Sequence, residues 1–317
     1  MAERQLSFTA DEVAHLVNRA DACFREGAFA KAIRVLERAL RLDAGLTSVA
    51  SALKCAMFWQ DREARLATID DPYERAEYLE QQWELFQPFA RRLEDMSERT
   101  LFDIRRYVMT ECLRGYRNLL EAHPEREDAD LLLRIGRTYK GLGNYASAIE
   151  HLETASRKQR RSPEILAELA DCYGLVNEDR FSRVLFREAF FIGAESIHLE
   201  RLEAPVIRRL IVTMEQAGRT RQEIASWLPV YATLHGVFTV KRELKPLELG
   251  RLKQTIFAME RQVAAGEAPP EVTPGLLNHY FWLIDHFIVT GEAKPRVREV
   301  LTKIRDLDRQ VHDEYVR

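Results

Sequence analysis

The sequence predicts an all-α protein built from stacked helical hairpins, an α-solenoid. Glycine and proline are few, 14 and 11 of 317 residues, and strand-like alternation is nearly absent. Residues 129–155 have the pattern of two short amphipathic helices placed back to back. The same pattern recurs elsewhere in the chain. Because such a hairpin cannot bury its apolar side alone, copies of it are expected to stack on one another.

The hairpin at residues 129–155 is the clearest copy. Its first helix carries an apolar stripe at i, i+3, i+4 and i+7: Leu132, Ile135, Gly136 and Tyr139. Gly141 and Gly143 end that helix. The second helix repeats apolar residues every three or four positions: Ala148, Leu152 and Ala155. Gly136 and Ala148 are small, which favours a close approach of the two helices.

Two further copies keep this spacing. One lies 34 residues later and contains Leu166, Leu169, Ala170, Tyr173, Phe186 and Ala189. In it Asn177 replaces the turn glycine and Ser182 replaces the small residue of the second helix. The other lies near the start and contains Leu16, Ala20, Cys23, Gly27, Phe29, Ala32, Leu36 and Ala39. Leu16 and Leu132 are 116 residues apart, so we expect altered repeats between them.

The three hairpins resemble the tetratricopeptide repeat family. The resemblance implies a right-handed superhelix in which the first helices of successive hairpins line a concave groove. It also implies a non-enzymatic scaffold that binds an extended peptide or a partner helix there. The residues expected to face this groove, and so to contact a protein partner, are Asp21, Leu133, Arg137, Lys140 and Asp171. An ordinary solvated helix face is an equally good interpretation of these positions.

Chaperone-binding members of that family hold a terminal carboxylate of the peptide with lysines and asparagines of the first helices. In this chain Asp21 and Asp171 stand where such an asparagine would stand. A carboxylate repels another carboxylate, so this particular activity is in doubt.

The chain divides into four predicted regions. They are a first hairpin at 1–45, divergent helical repeats with a lengthened loop at 46–127, two repeat motifs at 128–194, and a divergent helical region at 195–317. The lengthened loop corresponds to the charged segment after Trp59, which ends at Pro72, a residue that favours a helix start. One helix or a broken pair is expected from Ser97 to Ala122.

In the C-terminal region, residues 205–216 and 220–234 predict one more hairpin. Residues 236–244 are expected to form an extended linker, followed by helices at 246–265 and 274–290. A last helix over 295–316 carries apolar residues at near-heptad spacing. It either caps the apolar end of the solenoid or pairs with another subunit.

The charge balance and the cysteines exclude several classes of protein. With 47 basic and 50 acidic residues the net charge is -3, which does not favour nucleic acid as a partner. The N-terminal residues lack an apolar signal segment, and the longest uncharged run, 224–240, has 17 residues. We therefore expect no membrane span and a cytoplasmic protein. The four cysteines have no metal-ligand spacing and are expected to be buried thiols.

Motifs for catalysis or cofactor binding are missing from the sequence, which contains no GxGxxG, GxxxxGK[ST], HExxH or GxSxG pattern. His279 and His286 are two helical turns apart on one face, with Asp285 beside them, so a two-ligand metal site is geometrically possible. Hydrogen-bonded packing residues are the favoured interpretation. The sequence thus predicts no enzyme, no cofactor and no metal.

Three functions remain open. The first is a scaffold that binds a protein or peptide partner in its concave groove. The second is a structural homo-oligomer that assembles through its terminal helices or exposed repeat faces. The third and weakest is nucleic-acid binding, suggested by arginines at 157–161 and 208–221.

Overall fold

A computed structural model describes residues 2–266, 268–292 and 294–317 of the chain, with side chains from residue 11 onward. The first seven helices are α1 (Ala2–Arg25), α2 (Phe29–Leu42), α3 (Thr47–Leu66), α4 (Pro72–Arg91), α5 (Glu98–Ala122), α6 (Ala129–Gly141) and α7 (Tyr145–Lys158). The next four are α8 (Pro163–Leu175), α9 (Asp179–Gly193), α10 (Pro205–Gln216) and α11 (Arg221–Leu234). The last four are α12 (Pro246–Ala264), α13 (Val272–Val289), α14 (Lys294–Leu307) and α15 (Arg309–Tyr315).

The predicted all-α fold of helical hairpins is confirmed. The helices follow one another in consecutive packed pairs, and no β-strand occurs among the described residues. Across those same residues, no helix combines the length and the apolar content needed to cross a membrane.

Polar side chains fix where many of the helices begin. In several of them the N-cap side chain accepts a hydrogen bond from a backbone amide of the first turn, as at Asp71, Ser97, Asp128, Asn144, Ser162, Thr220 and Asp308. Each such cap satisfies an amide that the helix itself leaves unpaired, which stabilises a protein by about 1 kcal/mol.

The three hairpins with the recurring pattern share one turn conformation. Gly27 and Gly143 have φ of 67° and 76°, in the left-handed region. Asn177, at the equivalent position of the third hairpin, has φ of 62°. Asparagine is one of the few residues other than glycine that adopts this conformation readily, so the substitution preserves the turn.

The chain divides into two compact units, residues 1–151 and residues 152–317, and the boundary falls inside α7. In the first unit α1 packs on both α2 and α5, while α3 packs on α4 and α4 on α5. Its core is rich in aromatic rings: the Trp59 ring lies 6.0 Å from that of Phe29 and 5.4 Å from that of Phe86. Buried residues of the 46–127 region thus belong to one apolar core with the first hairpin.

The second unit contains two apolar clusters. Helices α8 to α11 contribute to the first, which includes the buried residues Phe186, Ile207 and Leu228. Helices α12 to α15 build most of the second, around Phe281 and Ile304 of α13 and α14.

Two segments differ from the sequence-based expectation. The charged residues after Trp59 continue α3 as far as Leu66, so the loop before α4 is only residues 67–71. In this extension the Arg62 guanidinium lies over the Phe58 ring, 3.3 Å from the centroid, and donates to Gln82 Oε1 at 2.8 Å. The expected last helix is instead two helices, because Asp308 adopts an extended conformation and caps α15.

Other expectations agree with the structure. The stripe residues Leu132, Ile135, Leu152, Leu166 and Phe186 are buried. The linker after α11 has no regular secondary structure, and α10 and α11 form a hairpin. All four cysteines are free; Cys55, Cys112 and Cys172 are buried as expected, whereas Cys23 is only partly buried.

Candidate protein-binding site

Helix α6, which carries three of the predicted groove residues, is fixed to the first unit by Arg134. The Arg134 guanidinium contacts Glu80 at 2.7 Å and Glu77 at 3.2 Å, both on α4, and Asp130 at 2.9 Å on its own helix. Glu80 also accepts a hydrogen bond of 2.6 Å from the Tyr116 hydroxyl of α5. One arginine thus connects α4, α5 and α6.

This network keeps Arg134 charged. Partial burial by itself would lower the Arg134 pKa, but the hydrogen bonds to Asp130 and Tyr116 and the charge of Glu80 outweigh it, so the pKa lies above its ordinary value. Conversely, burial and the neighbouring Glu80 charge raise the pKa of Tyr116, which keeps its hydroxyl proton available to donate. Charge-assisted hydrogen bonds of this kind are stronger than neutral ones.

The three predicted groove residues on α6 differ in exposure. Leu133 and Lys140 are buried, with 3% and 4% of their surface exposed. Arg137 is partly exposed. A partner could therefore reach Arg137 more easily than the other two.

Asp21, the predicted groove residue of the first hairpin, lies in the contact between α1 and α5. Only 2% of its surface is exposed. It accepts a hydrogen bond from the Thr100 hydroxyl at 3.2 Å and pairs with Arg99 at 3.1 Å. Burial raises the pKa of Asp21, while Thr100 and Arg99 oppose that shift. Its contacts stabilise the packing of two helices that are distant in sequence.

Asp171, on α8 in the second unit, is fully buried. Its carboxylate accepts hydrogen bonds from the backbone amides of Glu203, at 2.8 Å, and Ala204, at 2.6 Å, just before α10 begins. A carboxylate near a helix N-terminus also interacts favourably with the helix dipole. Asp171 therefore positions the start of α10.

The possible metal ligands of α13 are used by other contacts. His279 Nδ1 lies 2.6 Å from Gly275 O, His286 Nδ1 accepts from the Leu244 amide at 3.1 Å, and Asp285 pairs with Arg187. In the part of the chain that the structure describes, no group of three or more His, Cys, Asp or Glu side chains is arranged to hold a metal ion.

The second unit also contains a surface groove that the sequence did not predict. Helices α12 and α14 both pack on α13 and enclose a cavity of about 340 Å³ above it. The α12 wall consists of Lys253, Ile256, Phe257 and Glu260. The floor, on α13, consists of Tyr280, Leu283 and Phe287. The α14 wall consists of Arg296, Glu299, Val300 and Lys303. We call this the C-terminal groove.

Comparison with known proteins adds one match. Residues 129–157, the hairpin of α6 and α7, match the family model described as tetratricopeptide repeat. A search of curated proteins finds no significant relative. The match lies on the hairpin whose stripes recur elsewhere in the sequence, within a chain whose described helices pack in consecutive pairs. Residues 129–157 are therefore a repeat of the tetratricopeptide type, within a chain whose described helices pack in pairs.

Proposed function

We propose that this chain is a non-enzymatic scaffold that binds a protein or peptide partner along its repeat surface. The matched repeat at 129–157 is the observation that carries the proposal, because repeats of this type serve in general as protein-interaction scaffolds. Helix α6 suits that role, since the Arg134 network holds it in a fixed position before any partner arrives. A preformed surface loses less conformational entropy on binding.

Of the predicted groove residues, Leu133, Arg137 and Lys140 lie together on α6. Asp21 and Asp171 are buried in other helix contacts. Within this set, partial exposure favours Arg137 as the direct contact. Leu133 and Lys140, which are buried, support this helix through their packing. A guanidinium recognises carboxylates and backbone carbonyls, both of which a peptide offers.

The test compares Arg137→Glu with Arg117→Glu. Arg117 is an exposed cation of α5 outside the predicted groove, so it controls for the change in net charge. Proteins captured from the native cell by the wild-type chain are identified first, and their affinity for each variant is then measured. We expect Arg137→Glu to weaken binding at least tenfold, an effect typical of interface arginines, and Arg117→Glu to leave it unchanged.

Two results would contradict the proposal of groove binding. One is equal affinity of the wild type and Arg137→Glu for every captured partner, with unchanged melting of both proteins. The other is a concentration-dependent increase in mass by light scattering with no other protein captured, which would favour the structural homo-oligomer. Lys140 is unsuitable for this test, because reversing a buried charge destabilises the fold.

A further inference from the structure

We propose that the C-terminal groove binds an acidic amphipathic helix of a partner protein. The proposal rests on the proposed scaffold function and names a second binding surface together with the chemistry of its ligand. It follows from the spacing, the exposure and the charge of the residues in the groove.

The spacing of the lining residues is helical on all three sides. On α12 the lining residues lie at positions i, i+3, i+4 and i+7, where i is Lys253. On α14 they lie at the same spacing, where i is Arg296. The floor uses i, i+3 and i+7 from Tyr280. Each helix therefore presents one continuous stripe, about 10 Å long at 1.5 Å per residue. A stripe of this length matches two turns of a helix lying in the groove.

One large apolar side chain of the groove is exposed to solvent. Phe257, on the α12 wall, is 62% exposed. Buried apolar side chains lie beside it: Ile256, Leu283, Phe287 and Val300. A second cavity of about 600 Å³ adjoins at Phe287 and continues the apolar surface past Ile288, which is 48% exposed. An exposed aromatic ring above an apolar floor is typical of a protein-binding site.

Charge determines which partner suits this surface. The residues that line the groove and the adjoining cavity include five lysines and arginines against three glutamates. Inside the groove, Glu260 accepts hydrogen bonds from Lys303 at 2.9 Å and from Tyr280 at 2.6 Å. Burial alone would raise the Glu260 pKa, but these two bonds outweigh it and lower the pKa. Glu260 is therefore ionised and already neutralised by Lys303.

The remaining charges of the groove and the adjoining cavity, taken together, are mainly positive. Lys253 is exposed on the α12 wall, and Lys294 and Arg298 line the adjoining cavity. Arg296 is paired with Glu292. Glu299 is the opposing charge on the α14 wall. An incoming helix with carboxylates on both sides of its apolar stripe would meet attraction at most of these positions.

The test uses the full chain and a designed probe. The probe is a fluorescein-labelled helical peptide of about four turns, with leucines at i, i+3, i+4 and i+7 and glutamates beside them. A matched peptide has lysine in place of every glutamate. Fluorescence anisotropy gives the affinity of each peptide, and we expect the acidic probe to bind at least tenfold more tightly.

Matched variants on α12 locate the binding. Lys253→Glu and Phe257→Ala are each expected to weaken binding of the acidic probe at least about tenfold. Their controls are Arg251→Glu and Leu247→Ala, two exposed residues of the same helix outside the groove, and these should leave the affinity unchanged. Glu299→Gln should tighten binding, since it removes the opposing charge.

The outcomes separate this proposal from the scaffold function. Absence of binding, equal binding of acidic and basic peptides, or equal losses in the control variants would overturn the groove as a site for acidic helices. Partners captured in an Arg137-dependent manner would in that case still support the scaffold. Concentration-dependent dimerisation that Phe257→Ala abolishes would also overturn the proposal, because the occupant would then be a second copy of the chain.

Discussion

Asn177 and Ser182 are two positions at which the hairpin of α8 and α9 departs from the recurring sequence pattern and still keeps the hairpin fold. Asn177 keeps the left-handed turn that glycine makes in the other two hairpins. Ser182 takes the position of the small residue of the second helix and is fully buried, with a hydroxyl that has no hydrogen-bond partner. A buried hydroxyl without a partner costs stability.

The turn at Asn177 leads to the first stability prediction. Alanine in the left-handed region costs about 1–2 kcal/mol, so Asn177→Ala should destabilise the hairpin of α8 and α9 by about that amount. Hydrogen exchange of amides in these two helices measures the effect. The control is Glu178→Ala, since Glu178 has negative φ and makes no cap with its side chain. Equal exchange in both variants would mean that the turn tolerates any residue.

His279 predicts a pH dependence of stability. Burial lowers its pKa below the ordinary value of 6.5, although the hydrogen bond with Gly275 O partly opposes the shift. The unfolded chain therefore binds a proton more readily than the folded one. It follows that His279 contributes fully to stability above about pH 6.5, and that this contribution is lost as the pH falls toward its folded pKa.

Thermal melting at pH 8 and pH 5.5 tests this expectation. The wild type should lose more stability on acidification than His279→Gln, which has no titrating ring. An identical loss in the two proteins would assign the pH dependence to other groups.

At the scale of elements, close helix packing depends on particular glycines. A Cβ atom on Gly115 of α5 would lie 2.2 Å from Pro72 O and 2.7 Å from Ala76 Cβ, both on α4. The neighbouring backbone cannot move aside easily, so Gly115→Ala should destabilise the first unit by about 1–3 kcal/mol. In contrast, Gly250 of α12 is exposed and a Cβ there meets nothing within 4 Å.

The two glycines therefore form a matched pair. Gly250→Ala should stabilise the chain by about 0.5–1 kcal/mol, because glycine inside a helix costs conformational entropy. Melting curves of both variants are compared with the wild type. A stabilising Gly115→Ala would show that α4 and α5 are less closely packed than their contacts indicate.

At the scale of the whole molecule, local periodicity accounts for what the sequence could predict. The stripes of Leu132, Leu166 and Leu16 recur within single helices, so the hairpins and their buried faces were accessible to sequence reasoning. The Arg134 network could not be predicted from the sequence, because Glu80 lies 54 residues away on another helix. The partners of Asp21 and Asp171 are also distant in sequence, which is why the burial of these carboxylates could not be foreseen.

The C-terminal groove illustrates the same limit. Lys253, Ile256, Phe257 and Glu260 show helical spacing in the sequence, but so do many solvated faces. Only the packing of α12 and α14 on the same side of α13 turns three separate stripes into one groove. The groove therefore depends on which helices pack against each other, and sequence periodicity does not give that.

The most direct test of the scaffold function places a photo-crosslinking amino acid at position 137 of the full chain in its native cell. Position 117, an exposed site on α5, is the control. We predict discrete covalent adducts with other proteins at position 137 and far fewer at position 117. Equal adduct patterns at the two positions, or none above background at either, would contradict a partner-binding surface on α6.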